Sequence, residues 1–164
     1  MKYADIDKCE MCNGNDIGTT LFVQGCPYHC RNCFNPETWD FNGGKEWTNE
    51  IEQSFIKSID KSYIKRVSFL GGEPLANENA EQVLRLISII KNLYPNKKIW
   101  VYSGNTFENL KMIHDLSQID YIVDGLYMDN LRDVTLAFRG SLNQRIIDVQ
   151  KSLKTNRTEF YKEN

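Results

Sequence analysis

Short runs rich in β-branched and aromatic residues recur at 19–23, 66–70, 98–102 and 121–123, and each predicts a strand. Between them the apolar positions change period. After Thr48, placed to cap a helix, Ile51, Phe55, Ile56 and Ile59 follow at helical spacing, with Glu50 and Glu52 in the first turn where the helix dipole favours acids. Over residues 79–93, Val83, Leu84, Leu86, Ile87, Ile90 and Leu93 form a wide apolar face, and Pro95 stops the helix two residues on. A shorter helix starts at Thr106 and carries Leu110, Ile113 and Leu116.

Strand and helix in alternation predict right-handed crossovers and a parallel sheet. With four or five strands that sheet is open or only partly curved. The chain has 164 residues, against about 250 for a complete eight-fold β/α barrel, so an α/β fold in a single domain spanning residues 1–164 is expected. No internal repeat or linker interrupts it. The stretch 154–164 is polar and aperiodic and is expected to fray.

Charge narrows the partners. The 20 Lys and Arg against 22 Asp and Glu leave a net charge of −2, without the basic excess that grips nucleic-acid backbones. The longest apolar cluster, at 83–90, is broken by Arg85 and Ser88 and is too short to cross a bilayer. Five cysteines cannot all pair as disulfides, and reduced thiols in a cytoplasmic protein are expected.

In open α/β sheets ligands lie at the carboxyl ends of the strands. The first strand runs into a loop bearing Cys26, Cys30 and Cys33, the spacing C-x3-C-x2-C. Iron–sulfur cubes usually take four thiolates, and close spacing lets one loop wrap one cluster. Three thiolates leave one iron open for a substrate. A structural zinc needs four closed ligands, and Cys9, Cys12 and His29 keep that alternative open. Cys9-x2-Cys12 by itself reads as two ordinary thiols or as a redox dithiol.

Gly71-Gly72-Glu73-Pro74 follows the second strand. Its glycines permit a close backbone approach, Pro74 fixes the exit, and Glu73 offers a carboxylate to a cationic group. Ser103-Gly104 and Asp124-Gly125 end the next two strands. Taken alone, each of these is also an ordinary strand-ending turn.

With the cysteine loop and the G-G-E-P turn at adjacent strand ends, the chain resembles the radical S-adenosylmethionine superfamily. Within it the chain is similar to the anaerobic ribonucleoside-triphosphate reductase activating proteins, which are glycyl-radical activases. The matching stretches are Leu21-Phe22-Val23-Gln24-Gly25-Cys26, Cys33-Phe34-Asn35-Pro36-Glu37-Thr38-Trp39, Tyr102-Ser103-Gly104, Val123-Asp124-Gly125 and Phe138-Arg139-Gly140-Ser141-Leu142-Asn143-Gln144-Arg145-Ile146-Ile147, and the likeness covers about residues 13–150. The chain departs from the family pattern N-G-P-G-x-R at 13–18, carries Asn32 between two cluster cysteines, and has Asn105 where relatives have an aromatic residue.

The resemblance implies a partial, open parallel β/α barrel of the radical S-adenosylmethionine type. It implies a [4Fe-4S] cluster on Cys26, Cys30 and Cys33, and S-adenosyl-L-methionine held by Asn32, Cys33, Phe34, Gly71, Gly72, Glu73, Ser103 and, at the next strand end, Asp124. The implied activity is reductive cleavage of S-adenosylmethionine and removal of a hydrogen atom from a glycine in the large subunit of anaerobic ribonucleotide reductase. A flavodoxin or ferredoxin would supply the electron. No acid–base residue is required beyond cluster and cofactor. The competing readings are another small radical enzyme acting on a purine-like or peptide substrate, and a non-catalytic zinc or iron–sulfur module.

Overall fold

The computed structural model describes residues 1–162. Four strands are parallel neighbours, β2 (Gly18–Val23), β4 (Arg66–Gly71), β5 (Lys98–Ser103) and β6 (Tyr121–Asp124), and they coincide with the four predicted runs. Three further strands make the sheet mixed rather than wholly parallel. β1 (Lys2–Glu10) lies antiparallel beside β2, β3 (Lys45–Glu46) pairs with β1, and β7 (Arg145–Asp148) runs antiparallel to β6. The order across the seven strands is β3-β1-β2-β4-β5-β6-β7. β1 escapes a search for apolar runs because it lies near one side of the sheet, flanked by the two-residue β3, and its charged Asp5, Asp7 and Lys8 are exposed.

The crossovers are α1 (Asn49–Ile59), α2 (Asn77–Leu93) and α3 (Phe107–Ile113). Thr48 and Thr106 cap α1 and α3 by accepting from the backbone N–H of Ile51 and Asn109. Because side chains alternate across a strand, Leu21, Val23, Val67, Phe69, Ile99, Val101 and Ile122 all point to one face. There they bury against Phe55 and Ile59 of α1, Val83, Leu86 and Ile90 of α2, and Leu110 of α3.

The opposite face is covered by loops and is far more polar. Arg66 is fully buried there, and its Nη1 lies 2.6 Å from Glu10 Oε1 and 2.8 Å from Ser68 Oγ. Trp100 is also fully buried on that side, against Tyr121, Phe138 and Tyr161.

The expected fraying from residue 154 is not what the structure shows. A fourth helix, α4 (Val149–Thr155), follows β7, and the chain turns at Asn156 in left-handed geometry and returns. Asp148 N–H then donates to Glu159 O and Tyr161 N–H to Ile146 O, each at 2.8 Å. The segment was polar in sequence because one side faces water, while Tyr161 packs its ring on Trp100 and Tyr121. The last two positions of the expected tail lie outside the described residues. Among the described residues no helix is long and apolar enough to cross a membrane.

Candidate functional site

At the carboxyl ends of β2, β4 and β5 a cavity of about 550 Å³ opens. The thiols of Cys26, Cys30 and Cys33 line it, and so do Gly71, Gly72 and Glu73 from the turn after β4 and Ser103 from the end of β5. The lining runs from Cys12 to Gln144, so residues far apart in sequence are gathered at one mouth.

The two loops are locked together by backbone. Gly72 N–H donates to Val23 O at 2.9 Å and Glu73 N–H to Gly25 O at 2.8 Å. A Cβ on Gly72 would stand 2.3 Å from Gly25 O, so the approach requires glycine. Gly71 adopts φ +101°, a geometry that suits glycine alone among common residues. The Cys26 N–H is tied to Trp39 O at 3.0 Å, which fixes the other end of the cysteine loop.

Glu73 is buried, and its two oxygens receive backbone N–H groups from Gly104 at 2.7 Å and Leu75 at 3.1 Å. Burial pushes its pKa up to about 7, against the opposing pull of the Gly104 N–H, the Ser103 hydroxyl and the Leu75 N–H. Such a carboxyl gains from a cation brought beside it. Burial also raises the Cys26 and Cys30 thiols, with the Glu73 carboxylate and neighbouring thiols adding to the shift.

All five cysteines are free. Among the described residues no three His, Cys, Asp or Glu side chains converge as a site for one metal ion. A cubane asks for something different, one thiolate at each of three iron corners. Three separate, half-buried thiols of one loop around one cavity fit that donor set, with no fourth protein ligand on the loop. His29 is turned aside, stacked on Trp39 with ring centroids 4.7 Å apart. Of the upstream pair, Cys12 lines the cavity, while Cys9 sits exposed on β1.

Phe34 lines the cavity as expected, but two anticipated residues do other work. Asn32 has φ +55° and donates its amide to Asp129 Oδ2 at 2.7 Å. Asp124 is fully buried, accepts the Phe107 N–H at 2.7 Å and is ion-paired with Arg145, which also binds Glu108. Neither is among the cavity's lining residues, and both brace the loops around it.

The structure adds lining residues that sequence reasoning missed. Tyr28 lies across Gly104, where a Cβ would meet its ring at 2.5 Å, and burial followed by the Glu73 and cysteine charges pushes its hydroxyl up to about 12. Tyr102 contributes a buried hydroxyl with no partner. Tyr127, Phe138 and Gln144 close the far wall. Tyr102 could have been found from strand alternation, since it shares a face with Trp100; Tyr127 carried no such signal.

The chain matches a family model described as a 4Fe-4S single cluster domain over residues 12–147. It is 37% identical over 146 residues to the anaerobic ribonucleoside-triphosphate reductase-activating protein of Enterobacteria phage T4, covering 89% of this chain and 93% of that protein. The proteins of the same name from Escherichia coli (strain K12) and Vibrio cholerae are 34% and 35% identical over 148 and 150 residues, covering 88% and 89% of this chain and 96% and 97% of theirs.

Proposed function

The chain belongs to the family of anaerobic ribonucleoside-triphosphate reductase-activating proteins, and from that premise we propose that it is a radical S-adenosylmethionine activase for the large subunit of anaerobic ribonucleotide reductase. The observation that carries this reading is the single cavity in which the three-cysteine loop and the Gly71-Gly72-Glu73 turn meet. A [4Fe-4S] cluster, when bound and reduced, would supply one electron to the sulfonium of S-adenosylmethionine, whose sulfur–C5′ bond would break to give methionine and a 5′-deoxyadenosyl radical able to take a hydrogen atom from a glycine Cα of the reductase.

The protein's own share is binding, orientation and exclusion of water. Cys26, Cys30 and Cys33 would each hold one iron and leave the fourth for the cofactor's amino and carboxylate groups. Glu73 and the backbone of Gly71 and Gly72 would accept the N–H donors of the methionine amino group. Ser103, whose hydroxyl already serves Glu73, would take a polar group of the ribose or carboxylate. Phe34 and Tyr28 would shield the adenosyl group from solvent. Asn32 and Asp124 would act through the loops they brace. The parallel β2-β4-β5-β6 portion would be the partial barrel of this superfamily, with its open side covered by the protein substrate. A flavodoxin or ferredoxin-type donor would reduce the cluster, in the reducing cytoplasm that free thiols suit.

Anaerobic reconstitution with iron and sulfide, followed by dithionite reduction and assay for 5′-deoxyadenosine, tests the first half. Cleavage is expected, and its absence together with tightly bound zinc overturns the reading. Adding the anaerobic reductase should then give a glycyl radical doublet in electron paramagnetic resonance.

A further inference from the structure

Among the described residues that line the cavity, Arg139 is the only Lys or Arg. It is half-buried, and its guanidinium is anchored at one corner, where Nη1 donates to Gln144 O at 2.6 Å. Gln144 is itself held, its side-chain oxygen accepting the Gly140 N–H at 2.9 Å and its amide donating to Gly125 O at 3.1 Å. A guanidinium carries five N–H donors. Among the described residues no carboxylate pairs with this one, and no second acceptor meets it. Asp133, tied to Gly140 O through its backbone N–H, accepts instead from the Thr135 N–H at 2.9 Å and the Thr135 hydroxyl at 2.6 Å.

The next residue in the chain brings this arginine to the cysteine loop. Gly140 lies so close to Phe34, the neighbour of Cys33, that a Cβ on it would stand 2.8 Å from the ring. One unpaired cation therefore shares the cavity with Glu73, Asp133 and the cysteine thiols. Where three thiolates hold a cluster, a ligand carboxylate meets like charge, and a cation beside it offsets that repulsion. An α-amino acid end carries an amino group suited to Glu73 and a carboxylate suited to a guanidinium, whose planar fork matches both carboxylate oxygens.

We propose that Arg139 binds the carboxylate of the methionine part of S-adenosylmethionine, and so fixes which end of the molecule faces Glu73 and the cysteine loop. The proposal rests on the radical S-adenosylmethionine reading above and adds to it a residue from the segment between β6 and β7. A neutral peptide carbonyl of the reductase needs no such charge and is the alternative that the test separates.

The full-length protein is reconstituted anaerobically with iron and sulfide and left oxidised, so that binding is read without cleavage. Equilibrium dialysis then compares S-adenosylmethionine with decarboxylated S-adenosylmethionine, which keeps the amino group, the sulfonium and the adenosyl part. Arg139→Gln should weaken S-adenosylmethionine about tenfold or more, the scale of a lost charge-assisted hydrogen bond, and leave the decarboxylated compound within about twofold. Arg139→Lys keeps the charge without the fork and should fall between. Equal weakening of both compounds, or of neither, overturns the assignment while the functional reading stands. Unchanged binding with a raised KM for the reductase overturns it too and gives the guanidinium to the protein substrate. An unsubstituted, cluster-loaded protein that binds no S-adenosylmethionine overturns both readings. If Arg139→Gln does not fold, the same comparison in Arg139→Lys decides, since equal weakening of the two compounds there also overturns the assignment.

Discussion

The carboxyl of Glu73, at the end of one strand, accepts a 2.7 Å hydrogen bond from the backbone N–H of Gly104, at the end of the next. A buried acid is thus fixed between two strand ends by main-chain donors that cannot rotate away. Its pKa of about 7 follows from burial exceeding what those donors return.

That shift has a sign. The folded protein holds the Glu73 proton more tightly than the unfolded chain does, so this group's contribution to stability is greatest at acid pH. It falls as pH rises from about 4.5 to about 7. A Glu73→Gln protein should lose that part of the pH dependence in urea melts. Its affinity for S-adenosylmethionine should drop about tenfold or more, as expected for losing a charged hydrogen bond worth roughly 1.5–3 kcal/mol. In the unsubstituted protein that affinity should increase as pH is raised through 7.

Gly72→Ala places a methyl 2.3 Å from Gly25 O. Backbone on both sides leaves no side chain to move aside, so the two loops must part. A destabilisation of about 1–3 kcal/mol is expected, with reduced iron content after reconstitution. Unchanged melting temperature and iron loading would contradict the close approach.

Glu10 and Arg66 form the buried ion pair beneath the cavity. Burial raises the Glu10 carboxyl, but hydrogen bonds from Arg66, Thr20 and the Cys12 N–H outweigh it and hold the pKa below its ordinary value. This stabilisation is present above the unfolded carboxylate pKa and is lost as pH falls through the lower folded one. Removing one partner strands the other, so Arg66→Met should cost about 3–5 kcal/mol in chemical denaturation. The space Arg66 fills lies over Gly18, where a Cβ would meet its Cγ at 2.5 Å. The arginine of the family pattern is missing at Gly18, and a guanidinium from the neighbouring strand stands in that space.

The returning segment after α4 should behave as structure. The amides of Asp148 and Tyr161 are bonded across it, and both should be protected in hydrogen exchange. Ending the chain at Asn156 should lower the melting temperature by several degrees, because it uncovers Trp100 and Tyr121. Rapid exchange at Tyr161 would show instead that this end is frayed.

The four parallel strands, the capped helices and the cysteine and glycine motifs were legible because each is local. Periodicity, a cap three residues from its partner, and ligand spacing all lie within a few positions of one another. That local information determined the α/β class, the strand ends as the ligand side, and Cys26, Cys30, Cys33 and Glu73 as candidates. β1, β7 and the returning tail were not legible, since each is held mainly by pairing with a distant strand and by one or two buried rings. Tertiary structure alone decided that Tyr28 and Tyr127 border the site, that Cys12 reaches it while Cys9 does not, and that Asn32 and Asp124 brace loops. The reason is physical. A short motif constrains its own backbone, but which side chain fills a cavity or satisfies a buried carboxyl is settled only when elements far apart in the chain pack and exclude water.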